Sequence, residues 1–303
     1  MEVLIDTHSH LDAGEFDRDR DAAYDRARAA NVKIQILPAV TRANFDDVAA
    51  ACRRYPGCLP AWGLHPVYIG IHHDSHLDAL RRQIEAWRPV AVGEIGLDLF
   101  VPELDFATQE HFYSAQLRIA RDHDLPVLLH CRRANDQILK HLRRIGVKGG
   151  IAHAFNGSDQ QAEAFIKLGF KLGFGGAFTW QRASNLRRLA RELPLEAIVL
   201  ETDSPDIPPE WVGKGRNEPA ELARIAGVLA ELRGLGLSEV VCQTSANARA
   251  VLSLPLLEKP PFGDKGGGGG FDSTTPPSPL EIPLDPPFSK GEEIRTPIAV
   301  PKP

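Results

Sequence analysis

This sequence of 303 residues is poor in several features, and each shortage excludes a class of protein. Its four cysteines, Cys52, Cys58, Cys131 and Cys242, form no CxxC pair and are too few for a disulfide framework, so we expect them to be reduced. The absence of a long apolar run and of a cationic N-terminal segment excludes a membrane partner and favours a soluble cytoplasmic protein. No glycine-rich GxGxxG or P-loop turn follows the first apolar run, which excludes the usual nucleotide cradle.

Basic residues are in the minority. The chain has 35 lysines and arginines against 40 aspartates and glutamates, which gives a formal charge of −5. This balance provides no broad basic surface for wrapping a duplex. We therefore expect any contact with nucleic acid to be small and local, as at a strand end.

The composition of the chain changes near residue 255. Beyond that point proline pairs and a glycine run at residues 266–270 dominate, with almost no helical or alternating apolar pattern. Such a segment buries too little apolar surface to offset its ordering entropy. We predict a folded domain over residues 1–255 and a disordered, Pro/Gly-rich tail over residues 256–303.

Apolar, β-branched runs alternate with stretches of helical periodicity in the predicted domain, which is the pattern of repeated βα units. Strands are predicted over residues 3–8, 32–39, 58–63, 90–95, 126–130, 150–153, 171–175 and 197–202. Helices are predicted over residues 18–30, 44–55, 77–87, 108–123, 135–145, 159–167, 185–192 and 219–232. Eight such units predict an α/β fold, a TIM-type (β/α)8 barrel.

Residue types that bind metals stand at the ends of these predicted strands. Asp6, His8 and His10 alternate with Thr7 and Ser9, so an extended chain here would turn all three to one face. Two imidazoles and a carboxylate suit a divalent cation. The later candidates are His65 after the third strand, Glu94 and Asp98 on the fourth, His130 on the fifth, His153 on the sixth and Asp203 after the eighth. In a barrel, these ends all meet at one mouth.

Glu94 has the most informative surroundings of these residues. It lies in the otherwise apolar run of residues 90–97. A carboxylate buried there would be costly without a cation or another partner. The run therefore favours a metal ligand over a surface carboxylate.

These residues lie in motifs that resemble those of the TatD-type metal-dependent hydrolases, many of which are deoxyribonucleases within the amidohydrolase-like barrels. The resemblance covers nearly all of residues 1–255. Its motifs are Asp6-Thr7-His8-Ser9-His10-Leu11-Asp12, Gly63-Leu64-His65-Pro66, Gly93-Glu94-Ile95-Gly96-Leu97-Asp98, His130-Cys131-Arg132, His153-Ala154-Phe155-Asn156-Gly157-Ser158 and Glu201-Thr202-Asp203-Ser204-Pro205. Leu99 departs from the pattern, since an aromatic residue often follows the Gly-Leu-Asp motif in this family.

The resemblance implies a centre of two divalent cations, which would be zinc, manganese or magnesium. The implied ligands are His8, His10, Glu94 and Asp203 for one cation and Glu94, His130 and His153 for the other. A bridging glutamate has two oxygens and can span two cations at the separation used for phosphoryl displacement. Residues 90–100 contain no lysine, which argues against hydrolases bridged by a carboxylated lysine.

The reaction implied is phosphodiester hydrolysis, most simply the trimming of DNA strand ends by an exonuclease whose cations activate a water molecule. We expect Asp203 to orient or deprotonate this water, and His65, Arg132 and Arg216 to bind the phosphate, with His65 also assisting the leaving oxygen. The competing interpretation of both arginines is that they are solvated loop charges. We expect Asp6 to support a histidine rather than to bind a cation.

Two other classes of function stay open. An amidohydrolase that cleaves a C–N bond of a small molecule would use the same ligands. A non-catalytic barrel that binds a partner is the weaker alternative, because it would not require the full ligand set. The sequence implies no obligate protein partner.

Overall fold

The structure is a computed structural model that describes residues 3–255. The chain separates into two units, Met1–Lys265 and Gly266–Pro303, and the predicted tail lies outside the described residues. The boundary between domain and tail at residue 255 stays a prediction. None of the helices within the described range is long and apolar enough to cross a membrane.

Eight strands form a single parallel sheet in the order of the sequence. They are β1 (Leu4–Asp6), β2 (Val32–Pro38), β3 (Cys58–Trp62), β4 (Ala91–Asp98), β5 (Val127–Arg132), β6 (Gly150–Ala152), β7 (Phe170–Phe174) and β8 (Ile198–Leu200). The sheet curves until its first and last strands meet. There the Thr7 N–H donates to the Leu200 carbonyl at 3.1 Å, and Ser9 forms a parallel bridge with Ser204. The predicted TIM-type barrel is therefore confirmed.

Helices cover the outside of the barrel. They are α1 (Arg20–Ala29), α2 (Phe45–Arg54), α3 (Asp74–Trp87), α4 (Phe106–Asp122), α5 (Asn135–Ile145), α6 (Asp159–Lys167), α7 (Ser184–Glu192), α8 (Leu222–Arg233) and α9 (Leu237–Leu252). Short 3₁₀ turns, among them Pro66–Ile71 after β3 and Pro219–Glu221 before α8, connect these elements. The larger apolar cluster fills the space between the sheet and the helices.

Helix α9 closes the amino end of the barrel. Its Asn247 side chain donates to the Leu195 and Ile198 carbonyls at 2.8 and 2.7 Å, next to the start of β8. A second apolar cluster joins residues near α9's end to the barrel interior; it comprises Ile5, Ile34, Ile36, Ala61, Ala91, Leu128, Ile151, Val199, Ala248, Leu252 and Leu254. The opposite, carboxyl end of the strands is left for the site.

The eight predicted strands are confirmed, although their ends shift by up to three residues and one helix of the structure was not predicted. Strand β1 ends at Asp6 rather than at residue 8, because the next two N–H groups bond outside β2: that of Thr7 donates to the Leu200 carbonyl at 3.1 Å, and that of His8 to the Asp6 Oδ1 at 3.2 Å. Helix α9 was not among the predicted helices. Its sequence mixes small and polar residues, so its apolar stripe is weak, and its burial comes from contact with the end of the barrel.

Two glutamines on α4 hold the strand ends that carry site residues. Gln116 accepts from the Leu64 N–H at 2.7 Å and donates to the Leu64 carbonyl at 3.0 Å, immediately before His65. Gln109 does the same for Asp98, at 2.8 and 3.0 Å. Both amides are buried. Because they lie seven residues apart, they share one face of the helix.

We expect the Gln116→Leu substitution to lower the free energy of unfolding by about 2–4 kcal/mol, because it leaves the buried N–H and C=O of Leu64 without this partner. Urea denaturation monitored by circular dichroism measures this change. Gln160→Leu is the matched control, since Gln160 is exposed on α6. Equal stability of the two variants would show that the Gln116 amide does not hold β3's end.

Candidate metal centre

The predicted ligands converge at the carboxyl-end mouth of the barrel. Glu94 and His130 lie on β4 and β5, and the other members directly follow β1, β3, β6 and β8. The centre comprises His8, His10, His65, Glu94, His130, His153, Glu201 and Asp203. Most of it is buried: 1% of His8 and 3% of Glu94 are exposed.

Glu94 is at the middle of this centre. Its Oε2 lies 3.2 Å from the His8 Nε2 and 3.9 Å from the His10 Nε2. Its Oε1 lies 3.2 Å from the His65 Nε2 and 3.1 Å from the His130 Nδ1. Each carboxylate oxygen thus faces its own pair of imidazoles. The β4 backbone at this point packs closely on Gly63, where a Cβ would lie 2.7 Å from the Glu94 nitrogen.

Asp203 lies beside the first imidazole pair. Its Oδ1 is 3.7 Å from the Nε2 atoms of both His8 and His10, and its Oδ2 is 3.5 Å from the His153 Nε2. The Asp203 N–H donates to the His8 carbonyl at 2.8 Å, which joins the segments after β1 and β8. The carboxylate is 15% exposed and therefore reaches the open side of the centre.

His153, a ligand implied by the family resemblance, lies close to His8, Glu201 and Asp203. It was grouped with Glu94 and His130, but its ring stacks on His8 with centroids 3.7 Å apart. Its Nδ1 lies 3.1 Å from the Glu201 Oε1. His65, which was expected to bind phosphate, lies next to Glu94 and His130.

Glu201 is a member of the centre that the sequence analysis missed. It is 1% exposed and accepts from the Ala154 N–H at 2.6 Å. Gly173 on β7 makes room for it, because a Cβ there would lie 2.2 Å from the Glu201 Oε2. A signal was present in the sequence: Glu201 follows the apolar β8 directly and precedes Asp203 by two residues, the same alternation that identified His8 and His10.

The residues present fit bound cations. The Nε2 atoms of His8 and His10 lie 3.3 Å apart beside the same Glu94 oxygen, an arrangement that a shared cation would stabilise. The buried His8 Nδ1 and Glu201 Oε2 have no hydrogen-bond partner. Among the described residues, the groups of three possible ligand atoms within 4.8 Å of one another are His8, His10 and Glu94; His65, Glu94 and His130; and His8, His153 and Glu201.

The charges of the centre hold Glu94 and His8 in the protonation states that bind cations, whereas they favour the protonated form of His153. Burial alone would raise the pKa of Glu94, but the imidazoles of His65 and His8 hold it well below its ordinary value. Burial alone would lower the pKa of His153, but the two neighbouring carboxylates raise it well above its ordinary value. Burial and the nearby His153 lower the pKa of His8. Glu94 is therefore held ionised and His8 neutral, as metal ligands must be.

Asp98 supports the centre from the end of β4. Its Oδ2 lies 2.9 Å from the His130 Nε2, whose other ring nitrogen faces Glu94. Its Oδ1 accepts from the N–H groups of Phe100 and Val101 at 2.8 and 3.1 Å. A carboxylate on the far nitrogen of an imidazole fixes both the orientation and the tautomer of the ring.

Asp6 supports the backbone rather than a histidine ring, which refines the expectation from the sequence. Its Oδ1 accepts from the backbone N–H groups of His8 and Thr202 at 3.2 and 2.9 Å. Its Oδ2 accepts from the Thr202 hydroxyl at 2.6 Å. Burial raises the pKa of Asp6 to about 8, against the lowering effect of these hydrogen bonds. Asp6 thus ties the ends of β1 and β8 together below the centre.

The two arginines predicted to bind phosphate have different surroundings. Arg132 keeps 41% of its side chain exposed, and its Nη1 lies 4.0 Å from the Asp98 Oδ2. Arg216 is bound by acidic partners: its two Nη atoms donate to the Asp19 carboxylate at 2.6 and 2.8 Å, and Nη2 also donates to Glu218 at 2.8 Å. A phosphate contact by Arg216 would have to compete with these ion pairs.

Known proteins are similar to this chain in sequence and in fold. The family model described as TatD related DNase matches residues 5–253. The uncharacterized metal-dependent hydrolase YjjV of Escherichia coli is 41% identical over 256 residues, which is 83% of this chain and 98% of YjjV. The crystal structure of that TatD homolog superposes with a TM-score of 0.80, at 40% identity, over the same shares of both chains. The 3′-5′ ssDNA/RNA exonuclease TatD of Cronobacter sakazakii is 33% identical over 255 residues, or 81% of this chain and 96% of that protein.

Proposed function

We propose, because this chain belongs to the family of TatD-related DNases and is a metal-dependent hydrolase, that it cleaves phosphodiester bonds at the ends of DNA strands. The observation that carries the proposal is the position of Glu94, whose two oxygens face separate pairs of imidazoles at a barrel mouth. The exonuclease name of the Cronobacter relative supports a single-stranded substrate.

We propose that the centre holds two divalent cations, zinc, manganese or magnesium, with Glu94 between them. His8 and His10 face one Glu94 oxygen, Asp203 faces the same two imidazoles, and these residues would hold the first cation. The second would be held by Glu94 and His130, together with the predicted ligand His153 and with His65, which already faces Glu94. Bound cations supply Lewis acidity, which polarises the phosphoryl group and activates water.

The other roles follow from side chains at the open side of the centre. Asp203 is partly exposed and held ionised, since burial alone would raise its pKa and His153 lowers it below the ordinary value. An ionised carboxylate there can orient the attacking water and accept its proton. Arg132, exposed at the rim, can bind the phosphate through its guanidinium. We expect His65 to bind a cation next to Glu94, because burial lowers the pKa of its imidazole and keeps it neutral.

The proposal is tested by incubating the purified protein with 3′-labelled single-stranded DNA, cyclic amides and nucleobases, in magnesium, manganese or zinc. We expect the DNA to be shortened and the amides to stay intact. An Asp203→Ala variant purified in the same way controls for a contaminating nuclease, and it should be inactive. If DNA stays intact with every cation while an amide is hydrolysed, the protein is an amidohydrolase instead.

A further inference from the structure

The rim of the centre carries a cluster of one aromatic and two basic side chains: Phe100, Arg132 and Arg133. Phe100 lies in the loop after β4 with 41% of its surface exposed. The Arg132 Cζ lies 3.8 Å from the centroid of the Phe100 ring, and the Arg133 Cζ lies 4.7 Å from it. Both distances are those of cation–π contacts. We call these three side chains the Phe100 cluster.

We propose, on the basis of the function proposed above, that the Phe100 cluster is the subsite for the terminal nucleobase of a single strand. Proteins that bind single strands combine aromatic rings, on which bases stack, with positive charge that follows the phosphates. Guanidinium planes also stack on bases. The cluster provides both features in a chain whose formal charge is −5, so its positive charge is local.

Asp98 connects the Phe100 cluster to the metal centre. Its Oδ1 accepts from the Phe100 N–H at 2.8 Å, whereas its Oδ2 lies 2.9 Å from the His130 Nε2 and 4.0 Å from the Arg132 Nη1. The Leu99 N–H also donates to the Arg132 carbonyl at 2.9 Å. One buried carboxylate thus fixes both the loop that presents Phe100 and an imidazole that faces Glu94. A base at the cluster would lie next to a phosphate at the centre.

The occupant follows from the chemistry of the cluster. A phosphodiester with a base attached matches both the aromatic ring and the positive charge of the Phe100 cluster, whereas a small neutral amide would make no use of the charge of its two guanidinium groups. Stacking accepts any base because every base has a π face. The cluster therefore predicts recognition of unpaired ends with little preference for sequence, since a paired base is already stacked within its duplex.

A cycle of substrate and protein changes tests this subsite. The substrates are two single-stranded oligonucleotides that differ only in whether the terminal nucleotide carries its base or is abasic. For the parent protein we expect removal of the base to lower kcat/KM about 10-fold, mainly through KM. For Phe100→Leu we expect a similar loss on the normal substrate and no further loss on the abasic one. Phe100→Trp should restore the difference between the substrates.

The matched control is Phe106→Leu, because Phe106 is 39% exposed at the start of α4 and is not part of the cluster. It should keep the parent's response to the base. If Phe100→Leu loses activity equally on both substrates, or if the parent ignores the base, the subsite is wrong although the nuclease function stands.

A binding measurement separates failure of the subsite from failure of the proposed function. Fluorescence anisotropy of a labelled single strand, recorded in EDTA, reports binding without cleavage. If the parent cleaves neither oligonucleotide but binds the labelled strand, and Phe100→Leu weakens this binding several-fold more than Phe106→Leu, the subsite stands without the nuclease. If the parent neither cleaves nor binds, both proposals are overturned.

Discussion

Replacing Glu94 with glutamine is expected to lower kcat/KM for the hydrolysed substrate by at least about 1000-fold, because a charged group central to a metal centre is lost. Glutamine keeps the size of the side chain. However, it turns an NH₂ group toward one of the two imidazole pairs that the carboxylate oxygens now face. Steady-state kinetics with the best substrate of the panel measures the loss of activity. Elemental analysis of the dialysed protein measures the loss of bound metal.

The control for this variant is Glu163→Gln on α6, where the side chain is 65% exposed and contacts only its helix neighbour Lys167 among the described ion pairs. It should keep the parent's activity and metal content. Circular dichroism of Glu94→Gln distinguishes loss of the centre from loss of the fold. If Glu94→Gln retained both metal and activity, Glu94 would not be the bridge of this centre.

Replacing Asp6 with alanine is expected to lower the free energy of unfolding by about 2–6 kcal/mol, because the buried N–H groups of His8 and Thr202 lose their acceptor. Asp6→Asn should keep most of the stability. Its amide oxygen can accept from both N–H groups, while its NH₂ can donate to the Thr202 hydroxyl, which also bonds to Ser204. Urea denaturation in EDTA measures the change, since bound metal would add its own stabilisation.

The pH dependence of stability gives Asp6 a second test. Burial raises the pKa of Asp6 from 3.8 to about 8 in the folded protein. The folded state therefore holds a proton that the unfolded state releases, so the contribution of Asp6 is complete below about pH 4 and is lost as the pH rises toward 8. Asp6→Asn removes this dependence. Its free energy of unfolding should therefore rise relative to that of the parent as the pH increases from about 4 to about 8. If the difference in free energy of unfolding between the variant and the parent stayed constant over this pH range, Asp6 would not titrate within it.

Much of the barrel could be predicted from the sequence because its strands are short, apolar and separated by clear helical periods. Their order is fixed by the short connections of βα units. Helix α9 was missed because its position depends on the end of the barrel, which Asn247 and Leu252 contact. A local pattern contains no information about such a distant surface.

The ligand types of the centre were predictable for a related reason. Metal-binding residues that end successive strands must meet at one mouth once the barrel closes, and His8, His10 and Glu94 do so. Glu201 was missed because its role depends on the space that Gly173 leaves on the neighbouring strand. Such a relation joins two strands and is not visible along either one.

The barrel, most of the residues at its mouth and the family could be read from the sequence, because strand periodicity and short motifs are local properties of the chain. The neighbours of each residue within the centre became visible only in the folded barrel. The tertiary structure placed His153 against His8, occupied Arg216 with Asp19, and joined Phe100 to His130 through Asp98. The physical reason is that these contacts depend on the register and curvature of the closed sheet, to which all eight strands contribute.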